Sequence, residues 1–301
     1  MSSENRSGLD LIDPDVLSRL SQYPLTTGLP MIGTVTGLHK SPHKGASVEF
    51  AEYRKYVPGD DIRRLDWRVY ARTDRFYVKE FEADTNLRCY LALDCSGSMG
   101  FFSEGNISKL DYARKLAATL AYLAIQQGDA VGIHCLSDDS IVDIPPRRNP
   151  THLKVIFDVM QRAKPSGKTN LMPLLHQLAE KIRQRALVIV FSDFFCDLRE
   201  LISCFQHLRF QKHDLAIFHL IDPLELEFPF EHPTRFIDME EAASLLTEPN
   251  IIKKQYLNNL EEFLNGISVG CRQFNVDYRK VITNQSYEKV LADFLLERNN
   301  K

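Results

Sequence analysis

Short apolar runs alternate with amphipathic segments along most of the chain after residue 87. Apolar runs of this length predict buried strands, and apolar positions repeated every three to four residues predict helices that cover a sheet. The clearest helix spans 108–127, where Ser108 and Asp111 form an approximate capping box and Gly128 provides the stop. The predicted strands cover 89–94, 130–136, 140–144, 186–191, 214–221, 235–238 and 276–282, and the other helices cover 152–163, 172–183, 198–210, 250–266 and 286–296.

This order of elements predicts the fold class. Strands separated by helices are typical of a mostly parallel sheet with helices on both faces. The strands at 130–136 and 140–144 leave no room for a crossover helix, so they are predicted to form a hairpin. We therefore expect an α/β, Rossmann-like domain over 87–301.

The first 86 residues have a different character. A short helix is predicted at 14–22, whereas 25–46 lacks periodicity and is predicted to be loops and short extended pieces. Residues 47–86 mix charged and aromatic side chains. We predict a separate N-terminal region over 1–86, part helical, part loop, with a small β-rich element.

Within residues 47–86, apolar and polar residues alternate over 76–81, which predicts a half-buried strand. Pro58-Gly59-Asp60 predicts a turn. The single tryptophan, Trp67, lies in an aromatic cluster and is predicted to be part of the core. Acidic residues nearly match the arginines of 54–75 in number, which favours a salt-bridged structural or docking surface over a nucleic-acid interface. The sequence leaves open whether these arginines bind a partner or anchor the element.

Composition narrows the class of protein. The chain has 301 residues, 44% of them hydrophobic, and a formal net charge of −3 with a pI of about 6.3. It therefore lacks the excess positive charge that nucleic acid or an anionic membrane would attract. Early acidic residues argue against a signal peptide, and no segment approaches the roughly 18 apolar residues of a membrane span. We expect a cytoplasmic protein whose six scattered cysteines are reduced.

The most informative stretch is 89–100. Its apolar strand ends in Asp94, and two hydroxyls follow at alternate positions, Ser96 and Ser98. Ligands of open parallel sheets bind at the carboxyl ends of strands, where this turn is expected. An aspartate and two serines are hard oxygen ligands, which suit Mg²⁺ or Mn²⁺ better than Zn²⁺. The same residues would also cap a following helix, and the pattern alone leaves both interpretations open.

Two further loops are expected on the same edge, Gly167-Lys168-Thr169 and Ser192-Asp193. In this combination the sequence resembles the von Willebrand factor A (VWA) fold with its metal-ion-dependent adhesion site (MIDAS). The resemblance implies that a partner's Asp or Glu completes the metal's coordination. It also implies that one Mg²⁺ or Mn²⁺ is held by Asp94, Ser96, Ser98, Thr169 and Asp193.

A closer resemblance covers nearly the whole chain. The motifs that carry it are Glu49-Phe50, Arg54-x-Tyr56-x-Pro58-Gly59-Asp60-Asp61-x-Arg63, Asp66-Trp67, Ala71-Arg72-Thr73 and Asp222-Pro223-x-Glu225. With these motifs the chain resembles the bacterial DUF58 family, whose members look like companions of MoxR-type AAA+ ATPases. The resemblance implies an adaptor or chaperone-associated role rather than catalysis. Some relatives have membrane helices before this region, and this chain does not, which favours a cytosolic form without membrane insertion.

Two positions depart from the family pattern. Relatives often have Gly-Gly-Thr-Asp where this chain has Gly-Lys-Thr-Asn, which places Lys168 beside the proposed ligand Thr169. A lysine that pointed inward would weaken metal binding. The residue after Asp193 is Phe194, whereas adhesion domains typically have glycine there.

The same residues also bear on other functions. A P-loop is rejected because its first glycine would fall at Arg162, and a serine hydrolase because Gly-x-Ser-x-Gly is absent. A Mg²⁺-dependent phosphatase or phosphotransfer enzyme with Asp94 as nucleophile is the best enzymatic alternative. A metal-independent scaffold is the other.

Overall fold

The computed structural model describes residues 11–27, 49–57, 66–73, 75–82, 87–136, 142–240 and 244–300. The chain divides into two compact units, one formed by Met1–Thr26 with Arg88–Lys301 and one by Thr27–Leu87. In chain order the elements are α1 (Pro14–Leu20), β1 (Glu49–Lys55), α2 (Trp67–Thr73), β2 (Tyr77–Glu82), β3 (Arg88–Asp94), α3 (Lys109–Gln126), β4 (Ala130–Leu136), β5 (Val142–Arg147), α4 (Pro150–Arg162), α5 (Leu171–Lys181), β6 (Leu187–Ser192), α6 (Leu198–Phe210), β7 (Asp214–Ile221), α7 (Pro223–Glu227), β8 (Thr234–Ile237), β9 (Ser244–Thr247), α8 (Pro249–Gln273), β10 (Asp277–Ile282) and α9 (Tyr287–Asn299).

The larger unit is built on a six-stranded sheet with the order β10-β7-β6-β3-β4-β5. Every neighbouring pair is parallel except β4 and β5, which are antiparallel. Every residue of β4, β6 and β7 is buried, as expected for strands covered on both faces. This confirms the predicted α/β fold with a mostly parallel sheet, and it confirms the antiparallel pairing of the two short strands.

The strand order identifies a topological switch point. Counted within the sheet, the order is 3-2-1-4-5-6, so the chain winds in one direction from β3 and then in the other from β6. Ligands of such sheets bind at the carboxyl ends of the two strands that flank the switch. Those strands end at Asp94 and Ser192.

Two predictions at the carboxyl-terminal half needed correction. The predicted strand at 235–238 is not part of the main sheet, because β8 pairs only with β9 in a separate two-stranded sheet, and β9 was not predicted. The helix predicted at 250–266 continues to Gln273 as α8, because its last turns bury Ile267 and Cys271. The spacing of apolar residues along the sequence does not reveal that Ile267 and Cys271 are buried.

The first helix belongs to the unit that contains the sheet, which differs from the predicted division at residue 86. Arg19 of α1 forms a two-pronged ion pair with Glu288 of α9, at 2.5 and 2.9 Å. The Leu25 amide donates to the Gln127 side chain at 3.0 Å. These contacts join residues that are far apart in sequence.

The smaller unit contains an antiparallel pair, β1 with β2, and the short helix α2. The strand predicted at 76–81 is thereby confirmed, whereas α2 was not predicted. The assignment of Trp67 to the core is wrong, because 58% of this residue is exposed. The predicted turn at 58–60 and the loops at 28–46 lie outside the described residues, as do the motif positions Asp61 and Arg63.

Candidate metal centre

The site is built where β3 and β6 end side by side. The two strands are parallel neighbours, with Leu93 opposite Phe191. The next residues, Asp94 and Ser192, therefore leave the sheet at adjacent points of the switch. Both are buried, and the Ser192 hydroxyl donates to Asp94 Oδ2 at 2.6 Å.

Asp94 is held in place by neutral donors. Besides Ser192, the backbone amide of Ser96 donates to Asp94 Oδ1 at 2.9 Å. Burial, and next the charge of Asp193, raise the pKa of Asp94 to about 7. A nearby cation would stabilise the charged form of a carboxylate in this position.

The two serines of the first loop bring their hydroxyls together. Ser96 Oγ lies 3.0 Å from Ser98 Oγ. Ser96 is buried, whereas Ser98 is half-buried in a short 3₁₀ helix over Gly97–Gly100. The predicted capping role is not observed for Ser96, whose side chain makes no capping hydrogen bond to this helix.

The second loop is fastened to the first by its backbone. The Ser166 amide donates to the Cys95 carbonyl at 3.0 Å, and the Gly97 amide donates to the Gly167 carbonyl at 2.9 Å. Two residues further on, Thr169 has a buried hydroxyl without a hydrogen-bond partner among the described residues. Buried hydroxyls are normally satisfied, so this atom is an indication of a missing ligand.

The third loop contains Asp193 and the unusual Phe194. Asp193 is buried directly after Ser192. Phe194 has φ +52°, a left-handed conformation that favours glycine, which accounts for the glycine typical of adhesion domains. Here the conformation is kept by a fully buried phenylalanine whose amide donates to Ser192 Oγ at 2.9 Å and whose ring packs edge-on against His219.

A lysine that the sequence did not single out lies inside the site. Lys109, the first residue of α3, is completely buried, and its ammonium donates to Asp193 Oδ2 at 2.7 Å and to Glu225 Oε1 at 2.8 Å. Burial disfavours the charged ammonium, but the two carboxylates outweigh this and raise the pKa of Lys109. The other lysine in question, Lys168, is exposed.

The segment after β8 covers one side of the first loop. A Cβ atom at Gly97 would collide with the backbone carbonyl of Met239 and lie 3.2 Å from that of Gly167. Only glycine therefore allows the two loops to close over this turn. Beside Ser98 opens a pocket of about 420 Å³, whose lining includes Phe101, Phe195, Phe228, Phe230, Phe236, Met239, Glu240 and Tyr256.

This donor set fits a small, hard cation. It offers the carboxylates of Asp94 and Asp193, two converging serine hydroxyls, and the Thr169 hydroxyl that has no hydrogen-bond partner. Few charges and several neutral oxygens are compatible with Mg²⁺ or Mn²⁺, which retain some water in their shell. Within the described part of the chain, no group of three or more His, Cys, Asp or Glu residues is arranged for a metal. Hydroxyl donors thus distinguish this site from a zinc centre.

Comparison with known proteins identifies the family. The family model described as "Protein of unknown function DUF58" matches residues 52–261. The chain belongs to the DUF58 family. The predicted family membership is thereby confirmed.

Two curated proteins are similar to most of this chain. The uncharacterized protein Rv1480 of Mycobacterium tuberculosis is 28% identical over 225 residues, which are 73% of this chain and 69% of the relative. The uncharacterized protein Mb1516 of Mycobacterium bovis matches with the same values.

Two solved structures are similar in outline. BatB from Bacteroides thetaiotaomicron superimposes with a TM-score of 0.47 and 15% identity, covering 72% of this chain and all of BatB. The SpRpn10 VWA domain superimposes with a TM-score of 0.41 and 13% identity, covering 69% of this chain and 94% of that domain.

Within the described residues of this DUF58 protein, no helix is both long enough and apolar enough to cross a bilayer.

Proposed function

We propose that this DUF58 protein recognises a partner protein through a divalent metal ion held at the switch point of its sheet. The observation that carries the proposal is the meeting of three loops around Asp94. Two hydroxyls converge there at 3.0 Å, and a third, on Thr169, is buried without a partner among the described residues. VWA-like domains are protein-interaction modules, which agrees with this use of the site.

In this proposal Asp94, Ser96, Ser98 and Thr169 hold Mg²⁺ or Mn²⁺. When bound, the ion supplies an electrophilic centre that accepts a carboxylate oxygen. Asp193 contributes its Oδ1 as a further ligand of the ion, because its Oδ2 accepts a hydrogen bond from the Lys109 ammonium. Ser192 orients Asp94 by donating to its second oxygen, as partners of metal-binding carboxylates commonly do.

The proposed ligand is an exposed Asp or Glu of another protein. The aromatic pocket beside Ser98 offers space for an apolar side chain next to that acid. The resemblance to DUF58 relatives supports a MoxR-type AAA+ ATPase as the protein with which this chain works, in the cytoplasm, to assemble or activate a client protein.

The proposal is tested by affinity purification from the host's own lysate. Tagged wild-type protein is compared in Mg²⁺ and in EDTA, with Ser96→Ala as the site variant and Ser203→Ala, an exposed serine on α6, as the matched control. We expect an AAA+ ATPase with the wild type and the control in Mg²⁺, and its loss in EDTA and in Ser96→Ala. Equal recovery of the ATPase in all samples would support a metal-independent scaffold.

A parallel assay addresses the enzymatic alternative. Hydrolysis of p-nitrophenyl phosphate is measured in Mg²⁺ for the wild type and for Asp94→Asn. We expect no turnover above the buffer rate in either protein. Turnover by the wild type that disappears in Asp94→Asn would favour a phosphatase instead.

A further inference from the structure

A buried positive charge lies against the acid of the third loop. The Lys109 ammonium donates to Asp193 Oδ2 at 2.7 Å, and the Lys109 side chain is completely buried. The backbone fixes the start of α3, because the Lys109 amide donates to the Phe101 carbonyl at 3.2 Å. The ring centroids of Phe101 and Phe195 lie 5.8 and 5.4 Å from the ammonium. The charge is therefore enclosed beside Asp193 and does not face water.

The motif Asp222-Pro223-x-Glu225 holds this ammonium from the other side. Glu225 Oε1 accepts from Lys109 at 2.8 Å, and Glu225 Oε2 accepts from the Asp222 amide at 2.7 Å. Asp222 is itself buried, and its Oδ2 accepts from the amide and the hydroxyl of Ser103, each at 3.0 Å. A series of charge-assisted hydrogen bonds thus keeps the Lys109 ammonium at the third loop.

The ammonium changes the charge that a divalent ion would meet at the three loops. Asp94 and Asp193 offer two negative charges, but Lys109 already neutralises part of the charge of Asp193. The serine and threonine hydroxyls of the site carry no charge. The protein alone would therefore neutralise a divalent ion incompletely. An ion in this state is held less tightly by the protein and attracts a carboxylate from outside more strongly.

We propose that Lys109 is a specificity-determining residue of the metal site, which weakens the protein's hold on the ion and strengthens the attraction for a partner's carboxylate. The inference rests on the proposed function, since it requires a divalent ion at the three loops. It also gives the motif Asp222-Pro223-x-Glu225 a role, namely to keep the ammonium in place. Removing a lysine with a purely structural role would damage the metal site, whereas removing this one tightens its hold on the ion.

The test is isothermal titration of Mn²⁺ into the full chain, with Lys109→Met as the variant. We expect the variant to bind Mn²⁺ about tenfold more tightly than the wild type, because a positive charge near the ion is removed. The control is Lys154→Met, at an exposed lysine of α4, and it should bind as the wild type does. Unchanged or weaker binding by folded Lys109→Met would overturn this inference and leave the metal site standing. Failure of the wild type to bind Mn²⁺ would overturn both.

A second measurement covers a variant that does not fold without metal. An ion that binds the folded state stabilises it, and tighter binding stabilises it more. We expect Mn²⁺ to raise the melting temperature of Lys109→Met more than that of the wild type. A variant that is unfolded in EDTA should regain its helical circular dichroism in Mn²⁺. An equal or smaller shift of the folded variant, or no recovery of an unfolded one, would overturn the inference.

The effect on a carboxylate is measured with acetate as the probe. Water-proton relaxation by the bound Mn²⁺ falls when acetate replaces a water on the ion. We expect Lys109→Met to require about tenfold more acetate than the wild type for the same fall, because its ion is more fully neutralised by the protein. Lys154→Met should match the wild type. An equal or lower requirement for acetate in Lys109→Met would overturn the assigned role in carboxylate recognition.

Discussion

The Lys109 ammonium lies 2.7 Å from Asp193 Oδ2, and neither side chain is more than 3% exposed. A buried ion pair of this kind is favourable only when its geometry and its additional hydrogen bonds compensate the loss of hydration. Glu225 provides the second contact at 2.8 Å. One fixed positive charge therefore supports the third loop of the proposed metal centre.

Removing this charge should destabilise the protein. Lys109→Met leaves Asp193 and Glu225 buried without their cation, and we expect a loss of about 3–5 kcal/mol in the free energy of unfolding, the usual cost of breaking such a pair. Urea denaturation measures the change. Lys154→Met, on the exposed side of α4, is the control and should change the free energy by less than about 0.5 kcal/mol. If Lys109→Met lost no more stability than Lys154→Met, the buried ion pair would not stabilise the fold.

The second prediction concerns the Met239 carbonyl, which lies close to Gly97. Gly97→Ala introduces a Cβ atom that collides with the Met239 carbonyl, which is backbone and cannot rotate away. We expect a loss of stability of about 1–3 kcal/mol, as for other overpacked positions. Thermal or urea unfolding provides the measurement.

The matched control for this variant is Gly266→Ala in α8. Its new Cβ atom meets only the end of the Leu198 side chain, which is flexible, and alanine favours the helix. The control should therefore be close to neutral. Equal stabilities of the two variants would argue against a tight contact between the first loop and segment 238–240.

Trp67 offers an optical test of the smaller unit. It is the only tryptophan of the chain, and 58% of it is exposed. Its fluorescence in the native protein should therefore be quenched by acrylamide nearly as strongly as in urea-unfolded protein. Emission that is protected from acrylamide in the native state would place Trp67 in a core, as the sequence had suggested.

Much of the fold was predictable because periodicity is a local property. The buried strand ending at Asp94 and the capped helix α3 follow from consecutive residues, and the motif Asp94-x-Ser96-x-Ser98 indicated the carboxyl edge of the sheet. The sequence did not reveal that β8 leaves the main sheet. Its partner β9 is short and mostly exposed, so it lacks a strong apolar pattern.

The parts of the site that were missed depend on tertiary contacts. Lys109 lies 84 residues from Asp193 in sequence, and no spacing rule joins them. One weak signal existed, since a lysine in the first turn of a helix opposes the helix dipole and requires compensation. The sequence gives no corresponding signal for the close fit of the Met239 carbonyl against Gly97.

The most direct test of the central claim is isothermal titration of Mn²⁺ into the wild type, Ser96→Ala and Ser203→Ala. Ser96 is buried at the converging hydroxyls, whereas Ser203 is exposed on α6. The account predicts one bound ion for the wild type and for Ser203→Ala, and binding at least about tenfold weaker for Ser96→Ala. The same affinity in all three proteins, or no binding by any of them, would contradict a metal centre at this edge of the sheet.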